Sequence, residues 1–139
     1  MKKDKIILFE DYNLTSEPIH AEIAIKSLHI TIQFQMFHWQ TISYKEHKIF
    51  DDFINTFKKK SDLLIEVISG AYGRIILPTE LNIPLRNYTE LDPISFIDQA
   101  IDIYNIYKEN AVKNNQEIIN IIDEILALFY QTKYLLSFE

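Results

Sequence analysis

Cysteine is absent from this 139-residue chain, which removes disulfides, thiolate metal sites and cysteine nucleophiles from consideration. Glycine occurs twice and proline four times, too few interruptions for the many short strands and turns of an all-β protein. With 47% hydrophobic residues and abundant Ile, Leu, Lys, Glu and Asn, the composition points to an all-α fold in one domain with an ordinary core. Long apolar runs are missing from the N-terminus, where Ile6 to Phe9 is followed at once by acids. That run is too short for a signal-peptide core or a membrane span, so the expectation is a soluble, cytoplasmic protein. Positive charge is also in deficit. Against 20 acidic residues there are 14 Lys and Arg, a formal net charge of −6, and DNA binding is not expected where clustered cations are lacking.

What the chain does contain is organised by helical periodicity. Residues 1–14 read as an arm, and residues 15–139 as one helical bundle. Thr15 or Ser16 is placed to cap a first helix running to about Trp39, with Ile23, Leu28, Ile32, Phe34 and Phe37 as its core residues and Pro18 tolerated in the first turn. After a tight connection at 40–43, Ser43 and Glu46 have the spacing of a reciprocal capping box. They open a second helix that Gly70 would stop. On it Phe50, Ile54, Phe57, Leu64 and Ile68 face the core. Residues 70–92, with Gly73, Pro78 and Pro84, resist a helix and suit a long crossover joining two helices that point the same way. Asp92-Pro93 then opens a third helix through about Lys113. Asn114 or Asn115 caps a fourth from Gln116 to Leu136, buried through Ile118, Ile121, Ile122, Ile125, Leu128, Phe129 and Leu135.

The chemistry concentrates between His38 and Glu66. On the second helix His47, Asp51, Asp62 and Glu66 follow one another at spacings of 4, 11 and 4, so all four side chains leave from one stripe. From His47 to Glu66 is roughly 28 Å of helix, too long for a single small metal site. The positions are, however, symmetric about a point between residues 56 and 57. Two copies packed antiparallel there would set His47 against the partner's Glu66 and Asp51 against the partner's Asp62. Two identical sites would result, about 22 Å apart, with His38 approaching each from the end of the first helix. Two imidazoles with carboxylates suit Fe(II), Mn(II) or Zn(II).

His38-Trp39, His47-x3-Asp51 and Asp62-x3-Glu66 resemble the ferroxidase motif of the Dps family, the mini-ferritins of the ferritin-like superfamily. Pro84-Leu85-Arg86-Asn87-Tyr88 and the last two helices add a weaker likeness. The resemblance implies a ferritin-like four-helix bundle with its long crossover between helices 2 and 3. It also implies a site in which His38, His47 and Asp51 come from one subunit and Asp62 and Glu66 from its two-fold mate. Iron(II) oxidation by hydrogen peroxide or dioxygen, iron storage or peroxide detoxification, and a dodecameric cage follow from the same likeness, with Trp39 near the site. This chain departs from the pattern in three places. Its turn between His38 and His47 is shorter, Lys58 stands one turn before Asp62 where an ion pair would compete with metal, and Lys113 to Glu117 holds a single acid where the family lines its pores. The contrasting expectation is a non-catalytic helical dimer acting as a structural or interaction protein. His20 and His29 read as incidental, and Trp39 as packing.

Overall fold

A computed structural model describes residues 19–112 and 114–139 of the chain. The expected arm at 1–14, the cap at Thr15 or Ser16 and the Lys113 side chain lie outside the described residues. Within them the protein is all-helical: α1 (Ile19–Gln40), α2 (Tyr44–Tyr72), α3 (Pro93–Ile106), a π-helical turn (Tyr107–Ala111) and α4 (Gln116–Leu136). No described helix is long and apolar enough to cross a membrane.

Local chemistry accounts for most boundaries. Ser43 caps α2 by accepting from the Glu46 amide at 3.2 Å, but the return arm of the box is not made. The Glu46 carboxylate is taken by the Thr41 and Tyr88 hydroxyls, and the Ser43 amide donates to Thr41 Oγ1 instead. The second helix passes through Gly70, the expected stop, and reaches Tyr72. One helical glycine costs only about 1 kcal/mol, which the burial of Leu64 and Ile68 in the same stretch offsets. Gly73 ends the helix at φ 103°, a conformation that side chains resist, with its amide donating to the Ser69 carbonyl. Asp92 accepts from the Ser95 amide with Pro93 following, as the Asp-Pro pair implies. The third helix is shorter than its sequence suggests, because the chain widens into the π turn after Ile106 and Val112 N donates to the Tyr107 carbonyl. Asn114 takes a left-handed φ of 71°, and Asn115 supplies the cap of α4 by accepting from Ile118 N.

The helices run up, down, down, up. Lys60 on α2 meets Glu124 on α4 at 3.1 Å while Phe53 and Phe57 both meet Phe129, so these helices are antiparallel. Residues 73–92 carry the chain along the full length of the bundle. Tyr72 packs against His20 at the start of α1, with the rings tilted by 34°, whereas Tyr88 N donates to Gln40 Oε1 at its end. Between these points the Gln33 side chain serves the Arg86 backbone twice, accepting from N at 2.9 Å and donating to O at 2.8 Å. That amide replaces the neighbouring strand which an extended segment lacks.

The core is built on Phe34, which packs against Phe37, Phe50, Phe53 and Phe96 and so joins α1, α2 and α3. Phe50, Ile54, Phe57, Leu64 and Ile68 are buried as their spacing requires. Four expectations are corrected by exposure: Leu28 (47%), Ile32 and Leu135 face outward, and Trp39, at 72%, does not pack in the core. On α1 the inner side expected for Leu28 and Ile32 goes partly to polar residues. Glu22, Lys26, His29 and Gln33 are all buried and, at helical spacing, form a seam toward the π turn and the crossover.

Burial matters most at His29. Loss of hydration, followed by the Lys26 charge, lowers its pKa to about 3, despite an opposing hydrogen bond to the Pro84 backbone. The unfolded chain takes up this proton below its ordinary pKa of 6.5 while the folded chain does not. Stability from this group is therefore whole above that pH and declines as pH falls toward 3, at up to about 1.4 kcal/mol per unit. Denaturant midpoints measured between pH 7 and 5 should fall in the wild type and fall less in His29→Leu.

Candidate metal centre at the helix hairpin

The short α1–α2 turn brings His38 and His47 together with their rings stacked, centroids 3.9 Å apart and planes 19° from parallel. His38 Nδ1 lies 3.0 Å from the His47 carbonyl, and His47 Nδ1 lies 3.1 Å from the His38 carbonyl. A carbonyl oxygen only accepts, so Nδ1 carries the hydrogen in both rings. In the neutral rings each Nε2 is then an unprotonated donor to metal, and no hydrogen bond within the described residues engages it. One of these bonds also satisfies a carbonyl in the last turn of α1, which has no helical partner of its own. Tyr44 adds a third ring, 6.2 Å from His47.

The remaining stripe residues stay on α2. Asp51 is half-buried one turn beyond His47, while Asp62 and Glu66 are exposed farther along. Among the described residues no three His, Asp or Glu side chains of one chain come close enough to hold a metal ion. The expected one-subunit set of His38, His47 and Asp51 is thus present as an imidazole pair without its carboxylate gathered in. The rings turn back to the hairpin carbonyls, and Asp51 sits about 6 Å further along the helix axis. The Lys58–Asp62 ion pair is not formed among the described residues; it is the neighbouring Lys60 that pairs, with Glu124. Lys58 and Asp62 instead border an open groove of about 540 Å³ between α1 and α2, floored by Ala24, Leu28, Ile65 and Leu77. The other histidines serve the fold. His20 Nε2 lies 3.3 Å from the Ala111 carbonyl, and His29 rests beside Phe96.

Sequence reasoning missed the group that surrounds the turn. Tyr88 O–H and Thr41 O–H both donate to Glu46 Oε1 at 2.7 Å, and the Gln40 amide donates to Asn87 Oδ1 at 2.8 Å. Burial, reinforced by the Glu46 carboxylate, pushes the Tyr88 phenol up to about 12, so it remains a donor at any physiological pH. The capping-box position of Glu46 was a visible signal, but nothing local marks Tyr88 as its partner.

Residues 38–136 match the profile of DUF5856, a family of unknown function, and the chain belongs to that family. The match begins at His38 and takes in both imidazoles and all three stripe carboxylates. Over 133 residues the chain is 33% identical to an uncharacterised 14.6 kDa protein of the mobD–ri intergenic region of Enterobacteria phage T4, covering 94% of this chain and 98% of that protein. No solved structure matches it.

Proposed function

We propose that the protein is a Dps-like, ferritin-like ferroxidase that oxidises Fe(II) at sites shared between two subunits. The observation that supports this reading most is the stacked pair His38 and His47, whose mutual Nδ1–carbonyl bonds leave both Nε2 atoms as donors. Neutral imidazoles bind Fe(II) without making the site strongly anionic, and carboxylates favour the ferric product. Asp51, one turn beyond His47 and not drawn up to the imidazoles within the single chain, is the same-chain carboxylate of the proposed site, and Asp62 and Glu66 of the partner subunit are the others. The exposed Leu28 and Ile32 and the adjoining groove give that face apolar area for a two-fold contact. Two Fe(II) ions each release one electron, and with two protons these reduce one hydrogen peroxide to two waters; Fe(III) then leaves as hydrolysed product. Mn(II) or Zn(II) fits the same donors. Storage of the product further requires a closed assembly such as a dodecamer.

One observation favours a second reading, a non-catalytic helical dimer: among the described residues of a single chain no triad is assembled. Anaerobic loading with Fe(II) followed by peroxide decides between them. Ferric absorbance should rise faster than in buffer, with the rate falling to background in His47→Ala and Glu66→Ala. A wild-type rate equal to background would leave the structural dimer. Sizing the same sample reports whether a cage forms.

A further inference from the structure

We infer that Tyr88 is a positioning residue for the imidazole pair: through Glu46 it holds the α1–α2 turn at the separation where His38 and His47 each reach the other's carbonyl. Those two bonds are 3.0 and 3.1 Å long, and either is lost if the helix ends part by much more than half an ångström. Apolar packing reaches the turn only from one helical turn inside it, where Phe37 meets Phe50, and does not hold its tip, where Ile42 is fully exposed. Polar contacts do. Thr41 O–H donates to Glu46, the Ser43 amide donates to Thr41, and the Glu46 amide donates to Ser43.

This cycle is confined to the turn and is anchored to the rest of the molecule through Tyr88. Its phenol reaches the same Glu46 oxygen at 2.7 Å, and its own amide is tied to Gln40 at 2.6 Å. Its ring meets Phe37 edge-on with centroids 6.0 Å apart. One side chain of the crossover thereby touches the last turn of α1 and the first turn of α2, the two segments that carry the histidines. Tyr88→Phe keeps the ring and deletes one hydrogen bond, so packing is preserved while the anchor is removed. The effect on imidazole placement stands on these contacts alone, whereas the effect on metal rests on the proposed site.

The test uses the full chain and two readouts. Imidazole ¹⁵N chemical shifts report the tautomer of His38 and His47, and titration with Co(II) alone reports metal affinity. In the wild type both rings should be in the Nδ1–H form; in Tyr88→Phe they should move toward the Nε2–H form, and Co(II) affinity should fall about tenfold, the scale of a lost outer-shell partner. Glu46→Gln, which retains an acceptor, should keep both properties, and Glu46→Ala should reproduce Tyr88→Phe. Tyr107→Phe, which removes a buried bond to Glu22 at the opposite end of the bundle, is the control for general loosening. Unchanged tautomers in both Tyr88→Phe and Glu46→Ala, or an equal change in Tyr107→Phe, overturns the inference. If wild-type Co(II) binding is no tighter than that of His47→Ala while the tautomers shift as described, the positioning role stands and the metal site falls.

Discussion

Mixing His47→Ala and Glu66→Ala proteins is expected to restore Fe(II) oxidation that neither variant shows by itself. The expectation follows from the distance along α2, since His47 and Glu66 of one chain are roughly 28 Å apart and cannot serve one ion. In a homodimer of either variant both sites lack a ligand. In a mixed dimer one site lacks two and the other lacks none. Random pairing makes half the dimers mixed, each with one intact site of two, so about a quarter of the wild-type rate should return. Stopped-flow ferric absorbance after subunit exchange measures it. Recovery is specific to a shared site, and a mixture that stays at background would show that His47 and Glu66 do not work across an interface.

Phe34→Ala should produce the largest loss of stability among single core changes. The ring is fully buried and is in contact with four other aromatic rings on three elements, the nearest being Phe53 at 4.3 Å between centroids. Truncating a buried phenylalanine costs about 3–5 kcal/mol where the surroundings cannot collapse. Neighbouring rings fixed from α1, α2 and α3 leave little room for collapse. A domain of this size has roughly 5–15 kcal/mol in all, so the melting temperature should fall on the order of 10 °C or more. Calorimetry beside the wild type checks it; a shift under a few degrees would mean that the aromatic cluster repacks around the space.

Local signals made much of this fold legible. Asp92-Pro93 and Asn115 cap because a short side-chain oxygen can reach an unpaired amide two or three residues on, an effect contained within a few residues. The crossover was visible because Gly73, Pro78 and Pro84 interrupt helical periodicity. The choice between Gly70 and Gly73 was not visible, since only φ separates a tolerated glycine from a terminating one. The inner side of α1 was misread for a different reason. Periodicity weighs apolar residues, so it assigned Leu28 and Ile32 to the core, whereas tertiary hydrogen bonds bury Glu22 and Gln33 there. At the site, the approach of His38 to His47 followed from the short turn. The reciprocal bonds did not, because they depend on backbone carbonyls placed by Tyr88 and Glu46.

The route of residues 73–92 has a consequence for the order in which the chain matures. The α1–α2 hairpin is local in sequence and can close early, since little loop entropy opposes it. Tyr88 and Gln33's partner Arg86 belong to a later stretch, so a hairpin that closes before they dock lacks the Tyr88 bond to Glu46. If Tyr88 positions the imidazoles as inferred, their fixed orientation requires residues 86–88 to have docked, which makes the ordering of His38 and His47 depend on the crossover as well as on the hairpin.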